Sequence, residues 1–160
     1  MKAATLNELK QEIATRTPKQ VLDMCMRLAK YKKENKELIT YLLFEAHDEE
    51  TFIKHIKEET ETQFREMNSS NIYLAKKSIR KILRTINKFI RYSGIKQTEA
   101  ELRIHFCLTL DKSGIPFRKS PVLCNLYNNQ LKNIDAAISS LHEDLQFDFK
   151  REMAGLKYAE

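Results

Sequence analysis

The side chains of this 160-residue chain that are best suited to bind a ligand are the cations of residues 67–98. This segment has eight Lys or Arg residues and no Asp or Glu, so it carries a formal charge of +8. The whole protein carries +6, so the other residues sum to −2 and the basicity is local. In a helix, six of the cations share an arc of about 100°, and they are Lys77, Arg80, Lys81, Arg84, Lys88 and Arg91.

Apolar residues with helical spacing lie opposite these cations. They are Ile72, Ala75, Ile79, Ile82, Leu83, Ile86, Phe89 and Ile90. A helix that turns this stripe toward a core directs its cations outward over roughly 20 Å, which suits several phosphates or an acidic protein surface. Such a row of cations is also common as a plain solvated face. Residues 45–66, with eight acids against three bases, could also compensate its positive charge. Three interpretations therefore stay open: binding of nucleic acid phosphates, binding of an acidic protein surface, and a plain solvated face. Binding to a lipid surface is disfavoured because the core needs the apolar stripe.

Two further groups of cations add to this pattern. Arg118 and Lys119 precede the last predicted helix, where free backbone amides and the helix dipole favour an anion. Lys30, Lys32 and Lys33 form a third group around Tyr31. We therefore take Arg118 and Lys119, together with the six helical cations, as candidate residues for binding a polyanion or a partner.

Motifs for catalysis or for cofactors are not evident. His55 with Glu58 or Glu59, and Glu101 with His105, have helical metal-ligand spacing, but these are fragments of a carboxylate-bridged site. The sequence therefore predicts ordinary surface or boundary histidines and no metal. Glycines occur only at positions 94, 114 and 155, which excludes a phosphate-cradling loop and with it a nucleotide cofactor. We predict a protein without catalytic activity; an enzyme with an active site that lacks a recognisable motif is an alternative.

The three cysteines, Cys25, Cys107 and Cys124, are odd in number and form no C-x-x-C pair. Because each lies among apolar residues, we predict reduced, buried and slowly reacting thiols in a cytoplasmic protein. No secretory signal or membrane-spanning run is recognisable.

The composition predicts the fold class. Three glycines and three prolines are too few for the turns of a sheet, so we predict an all-α protein without strands. About seven helices should form one domain over residues 1–160, either as an irregular bundle or as a short superhelix of stacked helix pairs.

Capping patterns predict where the helices begin. Thr17-Pro18 should open the second helix. Asn35 should cap a third, very apolar helix over residues 36–46 near the centre of the fold, and Thr98 should cap the sixth. A turn is expected over residues 68–71, between the fourth and fifth helices.

Two further boundaries are less regular. The sixth segment alternates apolar and polar residues from position 104 to 110 as a strand would, but it has no strand to pair with and we predict a helix. The last helix should begin at Ser120-Pro121 and extend past Phe149.

These patterns favour a helical interaction module that binds a protein partner, through the cationic helix face in particular. Non-sequence-specific binding of nucleic acid through the same face is the main alternative. The oligomeric state does not follow from the sequence.

Overall fold

The computed structural model describes residues 1–68 and 71–159, and the protein is all-α. Helices make up 81% of it, no strand occurs among the described residues, and eight α-helices are present there instead of about seven. They are α1 (Leu6–Ala14), α2 (Pro18–Tyr31), α3 (Lys33–Thr40), α4 (Glu49–Glu66), α5 (Ile72–Ser93), α6 (Lys96–Lys112), α7 (Pro121–Ile138) and α8 (Glu143–Glu152). A π-helical segment covers Tyr41–Glu45, and short 3-10 turns cover Phe117–Lys119 and Met153–Gly155. The turn predicted between α4 and α5 includes Ser69 and Ser70, which lie outside the described residues.

Contacts divide the chain into two compact units. Unit 1 is Met1–Phe44 and contains α1 to α3, and unit 2 is Glu45–Glu160 and contains α4 to α8. A single domain over residues 1–160 therefore stays a prediction, and each unit is described on its own.

Unit 1 consists of amphipathic helices that bury none of their side chains. Thr17 caps α2 as predicted, and its side chain accepts a hydrogen bond from the backbone N–H of Gln20. Asn35 is not a cap, because α3 already begins at Lys33 and the Asn35 amide donates to the carbonyl oxygen of Leu28 at 2.9 Å. The prediction that this apolar segment lies at the centre of the fold is wrong: Leu43, for example, is 66% exposed.

Unit 2 is built around α6, which packs against α4, α5, α7 and α8. Neighbours on several sides bury residues all round α6, among them Leu102, Ile104, Phe106, Cys107 and Leu110. This explains why the segment has no one-sided helical pattern and alternates like a strand, since a helix enclosed by other helices is apolar on all faces. The predicted helix is confirmed.

The start of α6 differs from the prediction. Thr98 lies inside the helix, which begins at Lys96, and its hydroxyl donates to Glu49 Oε1 at 2.7 Å. The Ser93 hydroxyl donates to the same oxygen at 2.5 Å, so the turn between α5 and α6 is held to the first turn of α4. Gly94 ends α5 in the left-handed region, with φ of 67°, as expected for a helix C-terminus.

The predicted last helix is two helices. α7 begins at Pro121 as predicted but ends at Ile138, and α8 begins after His142, whose side chain accepts from the backbone N–H of Asp144. The hydroxyls of Ser139 and Ser140 donate to carbonyl oxygens of the last turn of α7. Serines that bond to nearby backbone in this way compete with helix continuation, which accounts for the break.

Candidate partner-binding face on α5

The orientation of α5 follows from its apolar stripe. Six of its apolar residues are buried in unit 2: Ala75, Ile79, Ile82, Leu83, Ile86 and Ile90. Phe89 is half-buried, and Ile72 at the first position of the helix is exposed. The stripe thus fixes the rotation of the helix about its axis, as predicted, and directs the opposite side to solvent.

We call that opposite side the basic face: Lys77, Arg80, Lys81, Arg84, Lys88 and Arg91. All of these except Lys88 are exposed. Within the part of the chain that the structure describes, none of the five exposed cations forms an ion pair. At 1.5 Å per residue, the face extends about 21 Å from Lys77 to Arg91.

Lys88 departs from the predicted outward row. Its ammonium lies 5.0 Å from the ring centroid of Phe89 and 6.0 Å from that of Tyr92. The side chain is half-buried, so its charge is held against aromatic rings by a cation–π interaction. Lys88 contributes less to the exposed positive surface than its position in the sequence predicts.

Acidic residues of α4 have contacts on other elements. Glu49 accepts from Ser93 and Thr98, and Glu61 lies 3.4 Å from His105 on α6. Lys57 of the same helix binds Glu101 on α6 at 2.6 Å. These three charged residues of α4 thus connect it to α6 and to the turn before that helix.

Arg118 and Lys119, which were predicted to act together, have different surroundings. Arg118 binds Asp111 at 2.8 Å and lies 5.0 Å from the ring centroid of Phe117. Asp111 also accepts a hydrogen bond of 2.6 Å from the hydroxyl of Tyr127; burial and this bond raise the pKa of Tyr127. Arg118 is therefore engaged in packing, whereas Lys119 is exposed and has no ion pair among the described residues.

No hydrogen bond, ion pair or ring contact joins Arg118 or Lys119 to α5 within residues 71–159. Both line a small cavity of about 240 Å³ at the start of α7, together with Cys124 and Asn128. The structure thus brings the six cations of α5 together on one helix and gives no link between them and this pair.

Sequence reasoning missed a buried polar cluster around Arg103. Its guanidinium donates to Glu99 at 2.9 and 3.0 Å, to Asn87 at 2.9 Å and to Gln130 at 2.6 Å, and so joins α5, α6 and α7. Burial opposes the ionisation of Glu99, but Lys96 and Arg103 outweigh it and lower the pKa of Glu99. The i, i+4 spacing of Glu99 and Arg103 was the available signal.

The histidine and carboxylate pairs do not assemble into a larger cluster. Glu101 pairs with Lys57, and burial together with the charge of Lys57 lowers the pKa of His105. Among residues 1–68 and 71–159, no three His, Cys, Asp or Glu side chains converge as metal ligands would.

No family model matches this chain, and no curated protein or solved structure is significantly similar to it. The function must therefore be argued from the site. None of the helices in the described residues combines the length and the apolarity needed to cross a bilayer.

Proposed function

We propose that the protein is a non-catalytic helical interaction module that binds an acidic surface of a partner protein through the basic face of α5. The observation that carries the proposal is the row of exposed cations without ion pairs on a helix whose rotation is fixed by a buried stripe. Exposed like charges on one helix face repel each other by some tenths of a kcal/mol per pair. An acidic partner would relieve this repulsion and complement the face.

The neighbouring residues favour a protein over a nucleic acid. The first turn of α5 exposes Tyr73 and Leu74. Tyr73, 70% exposed, falls on the same arc as the cations, and Leu74 falls next to that arc. Tyr and Arg are the residue types enriched where protein interfaces gain most of their affinity, and an exposed aliphatic residue beside them suits an apolar interface core. A nucleic acid backbone would use the cations but would leave Leu74 without a counterpart.

Nucleic acid binding is the second candidate. It is favoured by the length of the face, about 21 Å by helix geometry, which matches several phosphates. Tyr73 would then offer a surface on which a base could stack.

A cytoplasmic location belongs to the same proposal. Its support is that Cys25, Cys107 and Cys124 are free thiols, as is usual in a reducing compartment.

The experiment replaces Arg80, Lys81 and Arg84 with Gln and compares this variant with one in which Lys19, Lys132 and Lys150 are replaced with Gln. Both variants lose the same charge from exposed positions, but only the first loses it from the basic face. Immobilised wild-type protein and the control variant should recover the same partner from an extract of the source cells, and the first variant should lose it. Thermal unfolding should be nearly unchanged in both, because surface substitutions usually alter stability by less than about 0.5 kcal/mol.

Nuclease treatment of the extract distinguishes the candidates. A protein partner should be retained after treatment, and its purified form should bind with an affinity that the first variant reduces. Loss of the partner after nuclease treatment would instead assign the face to nucleic acid. The salt dependence of that binding should then fall by about two to three released ions in the first variant. A wild-type protein that binds neither at physiological salt would have only a solvated face.

A further inference from the structure

A groove between α2 and α3 contains none of the residues of the basic face. Its volume is about 560 Å³, and all its lining residues belong to unit 1. We call its four apolar lining residues, Met26, Ala29, Ile39 and Phe44, the floor. The lining also includes four lysines, which we call the rim: Lys30, Lys32, Lys33 and Lys36.

The groove is preformed by local structure. α2 ends at Tyr31 and α3 begins at Lys33, so Lys32 alone, in extended conformation, turns the chain between them. The amide of Asn35 reaches back to the carbonyl oxygen of Leu28, the last turn of α2. Two helices joined by so short a turn present their apolar faces to one shared depression.

Two residues of the floor are largely exposed: Phe44 by 65% and Met26 by 50%, although each is a large apolar side chain. Contiguous exposed apolar surface with a polar rim is typical of an interaction site. Methionine adapts its shape to an incoming apolar group, which suits a binding floor better than a fixed core.

The rim selects for negative charge. Lys33 lies 3.7 Å from Glu37, whereas Lys30, Lys32 and Lys36 have no ion pair among the described residues. Lysines also cover apolar surface with their methylene stems while keeping the ammonium in water. The groove thus combines apolar contact surface and cations in one lining.

We infer that the α2–α3 groove binds an amphipathic helix of a partner protein, with apolar residues toward the floor and Asp or Glu residues beside them. Helices of this kind dock in apolar grooves through anchors at positions i, i+3 or i+4, and i+7. The acidic flanks would meet the lysine rim and set the orientation of the helix. This inference does not depend on the function proposed for α5, because the two surfaces share no residue.

The probe is a fluorescein-labelled peptide of about 16 residues with Leu and Phe at those anchor positions and Glu on both flanks. A second peptide has Gln in place of every Glu, and a third has the same composition in scrambled order. Binding to the full chain is measured by fluorescence anisotropy. The acidic amphipathic peptide should bind, the Gln peptide should bind more weakly at low salt, and the scrambled peptide should not bind.

Variants of the protein locate the binding. Phe44→Ala should weaken binding of the acidic peptide about tenfold, as expected for truncation of an aromatic anchor. Lys30→Gln combined with Lys36→Gln should weaken it about threefold at low salt and less at high salt. Leu43→Ala and Lys19→Gln are matched controls, because both residues are exposed on unit 1 but do not line the groove, and they should leave the affinity unchanged. All five side chains that these variants change are exposed, so circular dichroism and thermal unfolding should match wild type.

Several results would overturn the inference. Equal binding of the acidic and Gln peptides would remove the role of the lysine rim, and equal loss in Leu43→Ala and Phe44→Ala would remove the role of the groove. A concentration-dependent dimer in sedimentation equilibrium that Phe44→Ala dissolves would assign the groove to a second copy. Binding to vesicles of phosphatidylserine and phosphatidylcholine, lost in the same variant while the peptide fails to bind, would assign it to a lipid surface.

Discussion

Arg103 shows how a single residue brings charge into the core of unit 2. It is buried between α5, α6 and α7, and four of its hydrogen bonds go to Glu99, Asn87 and Gln130. A buried ion pair contributes little net stability, but loss of one partner costs about 3–5 kcal/mol because the other charge is left uncompensated. Arg103 is thus explained by packing. Arg103 and Arg84 look equally basic in the sequence, but Arg103 is buried and Arg84 is exposed. The sequence alone therefore does not show which cations belong to a binding surface.

The cysteines show the same dependence on surroundings. Cys107 and Cys124 are buried as predicted, and burial raises the pKa of Cys107 to about 12. Cys25 is exposed, so the prediction of three buried thiols is wrong for this residue. The reason is that α2 buries none of its side chains, so its apolar stripe does not enclose the thiol.

Thiol labelling tests this difference. With a chromogenic disulfide reagent at pH 8, Cys25 should react fast, while Cys107 and Cys124 should react at least about a hundredfold more slowly, because the reagent has little access to a buried thiol. Denaturant should make all three react fast. Cys25→Ser should remove the fast phase only. A fast phase that persists in this variant would mean that a buried cysteine is accessible.

At the scale of elements, the helices were predictable wherever one face meets solvent. α5 has a clear boundary between its apolar stripe and its cations, and the structure buries the residues that this pattern selects. Helix starts that depend on local chemistry, such as those at Thr17-Pro18 and Ser120-Pro121, were also correct. Two helix starts were wrong because groups outside the helix compete for the same side chain: Thr98 binds Glu49 instead of capping α6, and Asn35 binds Leu28 instead of capping α3.

The burial pattern of α5 predicts a contrast between two isoleucines of the same helix. Ile86 is 1% exposed and Ile72 is 41% exposed. Ile86→Ala should therefore reduce the free energy of unfolding by about 2–5 kcal/mol, and Ile72→Ala by less than about 1 kcal/mol. Urea titration with linear extrapolation measures both. Equal losses would mean that the helix does not turn its stripe toward the core of unit 2.

At the scale of the whole molecule, burial is distributed very unevenly. Nearly all of the buried apolar side chains belong to unit 2, whereas α1, α2 and α3 bury none. The sequence could not predict this, because the apolar stripes of unit 1 look like those of core helices and only the number of covering neighbours distinguishes them. The basic face was predictable from spacing, since it needs one helix only. The α2–α3 groove was not, since it needs the turn at Lys32 and the exposure of Met26 and Phe44.

Hydrogen exchange tests this uneven distribution. Amides of α6, enclosed by four helices, should exchange near the rate set by global unfolding, because they open only when the core of unit 2 is lost. Amides of α1, α2 and α3 should exchange at least about a hundredfold faster, since their helices lose no buried side chains when they open. Mass spectrometry of peptic fragments from the native chain measures both regions in one experiment. If α2 were protected as strongly as α6, residues 1–160 would unfold as the single domain that the sequence predicts.

Addition of the acidic amphipathic peptide should slow exchange in α2 and α3 and leave α6 unchanged, because only the helices that line the groove gain contacts.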